Sequence, residues 1–369
     1  MSELAKPDFI KTSQADILTA YVKNYELVSG KKLQPAQIEQ LLINSGSYML
    51  YLNALRIQSA AEQNLPQFAT YPALDLLAKG AGVIRIPAKP ASCQLLLTLV
   101  AGHGNLIIPA GIRVQSQDGL ATFVIQSNTI VAPAENSKTV DAVCDTEGVI
   151  GNGYVAGKIS VMLDPQAYLS TASNVAITAG GSDTETDDQL RERFYLAPNS
   201  YSTAGSKNSY LYHAKSASPL ILDVAINNGG GGVVNIYPLV NGTVTPAEIL
   251  NAVLAACNSE KVRPLTDTVN VFSPTIVNYA VNVSLIVYAS ADSIAVQAAA
   301  VAALTKLTGD NNKKLGIDVI LTQLIAAASV PGVAKVILNS PVADVVLDNT
   351  QVGICTGVTV AVTGTNNDK

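Results

Sequence analysis

The chain has 369 residues, of which 48% are hydrophobic and only 14% are charged. An average soluble protein has about 25% charged residues, so this composition excludes intrinsic disorder as the main state. With 28 acidic and 23 basic residues, the net charge is −5, which argues against nucleic acid as a partner. At about 150 residues per domain, the length predicts two or three domains.

The first eighty residues carry a helical pattern. Apolar residues recur at every third or fourth position from Ile17 to Val28, and Gly30 marks the end of this helix. A second helix is predicted from Pro35, a favoured first-turn residue, to about Asn64.

The second predicted helix has a heptad-like apolar stripe, which Leu42 and Met49 widen to three positions in seven. One interpretation is an internal helical hairpin. The other is a helix that binds a partner, because the preceding helix is too short to cover its whole length. On the second interpretation, the candidate assembly residues are Leu42, Met49, Leu52 and Leu55.

From Val83 to about Thr178 the pattern changes to short alternating runs separated by turn residues, which predicts β-strands. Gly111, Asp118-Gly119 and Asn152-Gly153 are natural hairpin or bulge positions. The remainder alternates between predicted strands and helices, with a hairpin tip at Gly229 to Gly232.

These patterns predict an α+β multidomain protein with an N-terminal helical segment, a central β-rich domain and a C-terminal mixed α/β domain. The predicted limits are 1–82 for the helical assembly region, 83–180 for the β-rich domain and 181–369 for an α/β domain that makes subunit contacts.

The densest charge cluster is GGSDTETDDQLRERF, from Gly180 to Phe194. Thr186 and Gln189 have the spacing of a helix capping box, and Asp187 and Asp188 fall in the first turn, where the helix dipole favours carboxylates. We therefore predict a structural motif made of Gly180, Gly181, Asp183, Glu185, Thr186, Asp187, Arg191 and Arg193.

A calcium loop is the functional alternative for this cluster, because Asp183, Glu185 and Asp187 alternate. However, Asp188 stands where the sharp turn of such a loop needs glycine, and Phe194 stands where a bidentate glutamate belongs. No metal site is predicted here.

Other features give little indication of catalysis. The chain has only two histidines, and its four cysteines, Cys93, Cys144, Cys257 and Cys355, are widely spaced, which favours small buried side chains in a reducing compartment. The segment Gly102-His103-Gly104 does not continue as a dinucleotide-binding motif, and the glycines from 229 to 232 lack the Lys-Ser/Thr of a phosphate loop. We predict no catalytic residue, no cofactor, no metal, no signal peptide and no membrane span.

Five strings nevertheless resemble the baseplate J-like proteins, in the order seen in that family. They run from Tyr71 to Ala91, from Ile107 to Gly119, from Glu147 to Ile159, from Gly180 to Phe194 and from Val262 to Pro274. The family consists of wedge subunits of contractile phage tails and related injection particles.

The resemblance implies a structural, non-enzymatic subunit that pairs with a second copy of itself and joins another baseplate wedge protein through helices. It also implies a place near the central hub and spike and the sheath-proximal proteins, in a particle assembled in the bacterial host cytoplasm. Two alternatives remain. A particle-associated cell-wall or polysaccharide hydrolase needs an acidic pair in a cleft, and a receptor-binding protein should be mostly β, unlike the helix-rich first and last thirds here.

Overall fold

The computed structural model describes residues 5–11, 13–202, 205–241 and 244–367. The chain divides into two compact units. The first unit consists of Met1–Arg85 and Asp187–Tyr195, and the second of Ile86–Thr186 and Leu196–Lys369. The chain therefore leaves the first unit, returns to it for nine residues and leaves it again.

The first unit is helical, with α1 at Gln14–Ser29, α2 at Ile38–Glu62, α3 at Ala73–Gly80 and nearly all of α4 at Asp187–Leu196. A reciprocal capping box between Ser13 and Asp16 begins α1, and Gly30, with φ of +66°, ends it as predicted.

Helix α2 is shorter than its pattern predicts. It begins at Ile38 and ends at Glu62, whereas the sequence indicated Pro35 and Asn64. The helix begins later than Pro35 because residues 34–37 form a turn. Gln37 N donates to Gln34 O at 3.0 Å, and Gln34 N donates to the Gln37 side chain at 3.1 Å. These bonds hold residues 34–37 outside the helix.

The second unit begins with a six-stranded antiparallel sheet that curls into a nearly closed barrel around an apolar core. Its strand order is β7-β3-β4-β6-β1-β8, and β2 and β5 pair separately as a two-stranded ribbon. The strands are β1 (Pro90–Leu99), β2 (Leu106–Ile108), β3 (Arg113–Ser116), β4 (Thr122–Ile125), β5 (Thr129–Val131), β6 (Ser137–Glu147), β7 (Ile159–Met162) and β8 (Leu169–Asn174). Gly119, at φ +78°, makes the β3–β4 turn that the sequence indicated.

Asn174 bridges the gap between the two outer strands of the barrel. Its Oδ1 accepts a hydrogen bond from Ile159 N at 2.9 Å, and its Nδ2 donates to the carbonyls of Tyr154 and Val155 at 3.1 and 3.0 Å. Only 2% of Asn174 is exposed, so these bonds satisfy a polar group that would be costly to bury unpaired.

A central module follows the barrel. It contains α5 (Lys207–Ala217), β9 (Asp223–Gly230), β10 (Val233–Leu239), α6 (Ala247–Cys257) and β11 (Thr268–Val271). β9 and β10 form the predicted glycine-tipped hairpin, while β10 and β11 are parallel and joined through α6. Buried side chains of both helices and of all three strands share one core.

The C-terminal module contains β12 (Thr275–Tyr288), α7 (Ser293–Asn311), α8 (Leu321–Ala328), β13 (Val333–Ser340) and β14 (Gln351–Asn366). Helix α8 begins only at Leu321, because the backbone before it is extended and Val319 pairs with Val345.

The central and C-terminal modules share one strand arrangement with a different chain order. In each sheet the middle strand, β10 or β12, has a parallel neighbour, β11 or β14, and an antiparallel neighbour, β9 or β13. A helix precedes the antiparallel strand in both modules. These features, with the helical first segment and the barrel, confirm the α+β multidomain class. The predicted limits at 82 and 180 stay predictions.

His213 on α5 generates a prediction about acid stability. Its Nε2 is buried without a hydrogen-bond partner, and burial lowers the pKa of the imidazole below its usual value. Below about pH 6.5 the unfolded chain binds a proton here that the folded chain resists, so acidification should reduce stability. Urea unfolding at pH 7.5 and 5.5 should show a larger loss for the wild type than for His213→Leu. Equal losses would contradict the prediction.

Candidate assembly interface

Helices α1 and α2 pack closely where a glycine allows it. A Cβ atom on Gly46 would lie 3.0 Å from Cε1 of Tyr21, so the small residue brings the α1 ring directly against the α2 backbone. Ile43 and Ser47 are the buried residues on this side of α2, whereas α1 has no buried residue. The helix pair therefore has a narrow contact and wide exposed faces.

The opposite side of α2 carries the predicted stripe. Leu42 is 68% exposed, Met49 53% and Leu55 46%, while Leu52 is half-buried. Further exposed apolar residues of the same helix extend the stripe, namely Ile38, Leu41 and Tyr48. All of these positions lie within about two fifths of the helix circumference, at the three- and four-residue spacing that makes neighbours on a helix.

A segment that the sequence patterns did not single out covers part of α2. The backbone N–H groups of Phe9 and Ile10 donate to Gln58 Oε1 at 2.9 and 3.1 Å, and Gln58 Nε2 donates to Pro7 O at 2.7 Å. Lys6 pairs with Glu62 at 2.7 Å. These contacts join residues about fifty positions apart, which no local periodicity can indicate.

A groove of about 620 Å³ lies beside this segment. Ile10, Tyr51, Ala54 and Leu55 give it apolar walls, and Lys6 and Asp16 are among its charged lining residues. Leu55 thus belongs to both the stripe and the groove, so the exposed apolar surface of α2 continues into a concavity.

The first half of the Gly180–Phe194 motif is fixed within the barrel. Glu185, only 2% exposed, accepts a hydrogen bond from Ile86 N at 2.9 Å, and its own N–H donates to Ile86 O at 3.0 Å. Asp183 Oδ1 accepts from Val149 N at 3.1 Å. Both carboxylates therefore bind backbone amides of the barrel.

The two glycines of the motif lie where larger residues do not fit. A Cβ atom on Gly181 would approach Gly148 O to 2.4 Å, and the Gly181 N–H donates to Asn152 Oδ1 at 2.9 Å. Gly180 has φ of +88°, and a Cβ there would lie 2.9 Å from Glu248 Oε2. Glycine is required at both positions.

The second half of the motif belongs to the helical unit. Helix α4 begins at Asp187, directly after Thr186, so Thr186 holds the position of the predicted N-cap. Asp187 accepts from Tyr71 N at 3.2 Å and from Arg85 Nη2 at 2.6 Å. Arg85 also binds Asp75 at 2.6 Å, and these carboxylates raise the pKa of the guanidinium.

The arginines of the motif bind carbonyl groups of the same helical unit. Arg191 donates to Pro66 O and Ala69 O, both at 2.9 Å, and Arg193, which is 6% exposed, donates to Ile84 O at 3.3 Å. Charge-assisted bonds of this kind fix the chain where regular secondary structure is lacking. The geometry gives the motif structural contacts, while its role stays a prediction.

Across the described ranges, no cluster of three or more His, Cys, Asp or Glu side chains is arranged to hold a metal ion. The four cysteines are free, with Cys144 and Cys257 buried and Cys93 and Cys355 half-buried. Burial raises the pKa of Cys93 and of Cys257 to about 12, so these two thiols stay protonated.

Among the helices in the described part of the chain, none combines the length with the apolar composition needed to cross a membrane.

Comparison with protein families gives three consecutive matches. The Baseplate J-like protein barrel domain matches residues 94–181, the Baseplate J-like central domain matches 202–273, and the Baseplate J-like protein C-terminal domain matches 279–361. These matches coincide with the barrel and the two α/β modules, and together they cover more than half of the chain. They confirm the resemblance seen in the five sequence strings.

Two individual proteins are also similar to this chain. Baseplate protein J of Escherichia phage P2 is 33% identical over 220 residues, which are 59% of this chain and 70% of that protein. The phage-like element PBSX protein XkdT of Bacillus subtilis (strain 168) is 28% identical over 123 residues, which are 33% of this chain and 31% of that protein.

Among solved structures, a chain of the 6-fold symmetrised cryo-EM structure of the anti-feeding prophage baseplate aligns with a TM-score of 0.44 and 12% identity. The alignment covers 93% of this chain and 90% of that chain. Because family matches cover most of the chain, and the chain covers more than two thirds of a 33% identical relative, it belongs to the baseplate J-like family and has a structural role in a baseplate.

Proposed function

We propose that the chain is a wedge subunit of the baseplate of a contractile phage tail or related injection particle. In this proposal it pairs with a second copy of itself and with another wedge protein, and the wedges surround the central hub and spike and contact sheath-proximal proteins. It is made and assembled in the bacterial host cytoplasm, and it has no enzymatic activity.

The observation that carries the proposal is the exposed stripe of α2. Monomeric proteins rarely leave a contiguous apolar patch larger than a few hundred Å² uncovered, and such patches mark interaction sites. Along α2 the exposed apolar side chains run from Ile38 to Leu55, which is about 26 Å of helix. That length suits helix-to-helix packing with a partner better than a small ligand.

Charge along α2 supports the same interpretation. The helix has only three charged residues in 25 positions, Glu39, Arg56 and Glu62. Glu62 is already paired with Lys6. A solvent-facing helix normally carries many charges on its outer side, so this scarcity favours a helix that is covered in the assembly.

The motif from Gly180 to Phe194 supports a structural role. Asp183, Glu185 and Asp187 all accept hydrogen bonds from backbone N–H groups. Carboxylates that are bonded to backbone amides in this way hold segments of the chain together.

The first prediction concerns the stripe. Leu42→Asp with Met49→Asp should prevent incorporation into baseplate particles, because two carboxylates would then be buried in the proposed interface. Both positions are exposed in the isolated chain, so the free energy of unfolding should change by only about 1 kcal/mol. Mass spectrometry of particles purified from a host that makes the tagged variant measures incorporation.

A matched control lies on the same helix. Leu50 and Ile57 are 48% and 60% exposed and lie off the stripe, on the side of α2 that carries Gly46, so Leu50→Asp with Ile57→Asp should leave incorporation intact while circular dichroism shows that the helices stay folded. If the stripe variant is incorporated as well as the wild type, the proposed interface is wrong. Unfolding of the stripe variant alone would show instead that α2 belongs to an internal core.

The second prediction concerns the motif. Arg85→Met should destabilise the helical unit by about 1.5–3 kcal/mol, because Asp75 and Asp187 lose a shared and mostly buried charged partner. Arg113→Met is the control. The side chain of Arg113 is 52% exposed in its pair with Asp164, and such exposed pairs contribute little to stability. Urea unfolding measures both variants.

Equal effects of these two substitutions would contradict the structural account of Arg85. Measured turnover of peptidoglycan or glycan by the wild type, lost in a folded Asp183→Asn variant, would contradict the non-enzymatic role.

The third prediction concerns assembly. The purified chain should be a monomer or a dimer by light scattering, because an interface that closed a ring unaided could also form open filaments before the hub is ready. The net charge of −5 adds a weak long-range repulsion between copies. A stable hexamer or dodecamer of this chain alone would overturn the partner-dependent proposal.

A further inference from the structure

His103 lies on the connection between β1 and β2 and contacts two backbone carbonyl groups at once. Its Nδ1 is 2.8 Å from Gly104 O, and its Nε2 is 2.8 Å from Glu135 O. Glu135 belongs to the turn between β5 and β6, 32 positions along the chain. The ring therefore ties two separate connections of the barrel segment together.

Each of these contacts is a hydrogen bond only if the ring nitrogen that makes it carries a hydrogen. A backbone carbonyl oxygen only accepts hydrogen bonds, and a neutral imidazole carries a single N–H. The neutral ring can therefore satisfy one of these carbonyl groups and places a lone pair against the other. Only the imidazolium, which has two N–H groups, makes both hydrogen bonds.

The second acceptor is held in place independently of His103. Glu135 N donates to Ala132 O at 3.0 Å, and the Glu135 carboxylate accepts from Ala132 N at 3.0 Å and from Lys138 Nζ at 2.9 Å. Because these bonds fix the turn, the carbonyl oxygen of Glu135 cannot easily rotate away when the imidazole loses its proton.

The contact spans one end of the β2–β5 ribbon. His103 precedes β2 by three residues, and Glu135 follows β5 by four. Ile108 and Val131 of the ribbon are buried in the barrel core, whereas Ile107 and Ile130 face each other across the strands and are 59% and 72% exposed. The ribbon thus presents an apolar pair on the barrel surface.

We propose that His103 is a proton-dependent staple that, as the imidazolium, holds the β2–β5 ribbon closed at its base, and that loss of the proton releases one of the two bonds and loosens the ribbon.

The charges around the ring agree with this proposal. The hydrogen bonds to Gly104 O and Glu135 O raise the pKa of His103, and the Glu135 carboxylate adds to the increase. Lys138, on β6, partly neutralises that carboxylate. Because the folded pKa is raised, the stabilisation is complete below the usual value of about 6.5 and is lost as the pH rises through the folded value.

The first test needs no substitution. The full chain has only two histidines, so an NMR titration of the wild type labelled at its histidines resolves both imidazoles. We expect His103 to titrate above pH 6.5 and His213 below it. A His103 midpoint at or below 6.5 would overturn the proposal.

The second test measures the ribbon itself. Hydrogen-exchange protection factors of the amides in β2 and β5 should fall about fivefold between pH 6 and pH 8.5 in the wild type, because one of the two hydrogen bonds at the base of the ribbon is lost. In His103→Gln, whose amide does not titrate, this fall should disappear. In the control His213→Leu it should remain. Equal ribbon protection at both pH values in the wild type would overturn the staple.

Discussion

Backbone hydrogen bonds between residues 86–92 and 179–185 hold the two ends of the barrel segment side by side. Lys89 and Ser182 exchange two bonds, Ser92 and Ala179 exchange two more, and Glu185 N donates to Ile86 O. The chain can therefore leave the helical unit after Arg85, build the barrel and return at Asp187. Gly181 is essential to this pairing, because any side chain there would collide with the Gly148 carbonyl group. The position of Asp187 beside Arg85 depends on the same return.

The pairing also explains why the Gly180–Phe194 motif is dense in charge. Its first half satisfies backbone amides of the barrel, and its second half satisfies Arg85 and the carbonyl groups near Pro66 and Ala69. One short segment thus makes polar contacts in both units, its first half in one and its second half in the other. In a chain that is only 14% charged, such a cluster resembles a catalytic or calcium site, although the contacts of its carboxylates are hydrogen bonds from backbone amides and from Arg85.

Local sequence patterns predicted most helices and strands. Contacts between residues far apart in the sequence could not be predicted in this way. The three- and four-residue spacing indicated α1 and α2, and Gly30 marked an end, because helix period and capping are local properties. The stripe on α2 was visible for the same reason. By contrast, the bonds of Gln58 to Pro7, of Asn174 to Tyr154 and of His103 to Glu135 join distant or irregular segments. No periodicity predicts them, so the covered edge of α2 emerged only from the structure.

The adjacency of the barrel's two ends has a consequence for how this architecture can vary. A domain whose ends are hydrogen-bonded neighbours can be inserted, removed or exchanged with little disturbance of the chain that carries it. The barrel is in this respect an insertion in the chain, with its ends paired at Lys89 and Ser182. Lengthening its hairpins alters the surface that it presents, while the two α/β modules that follow have cores of their own.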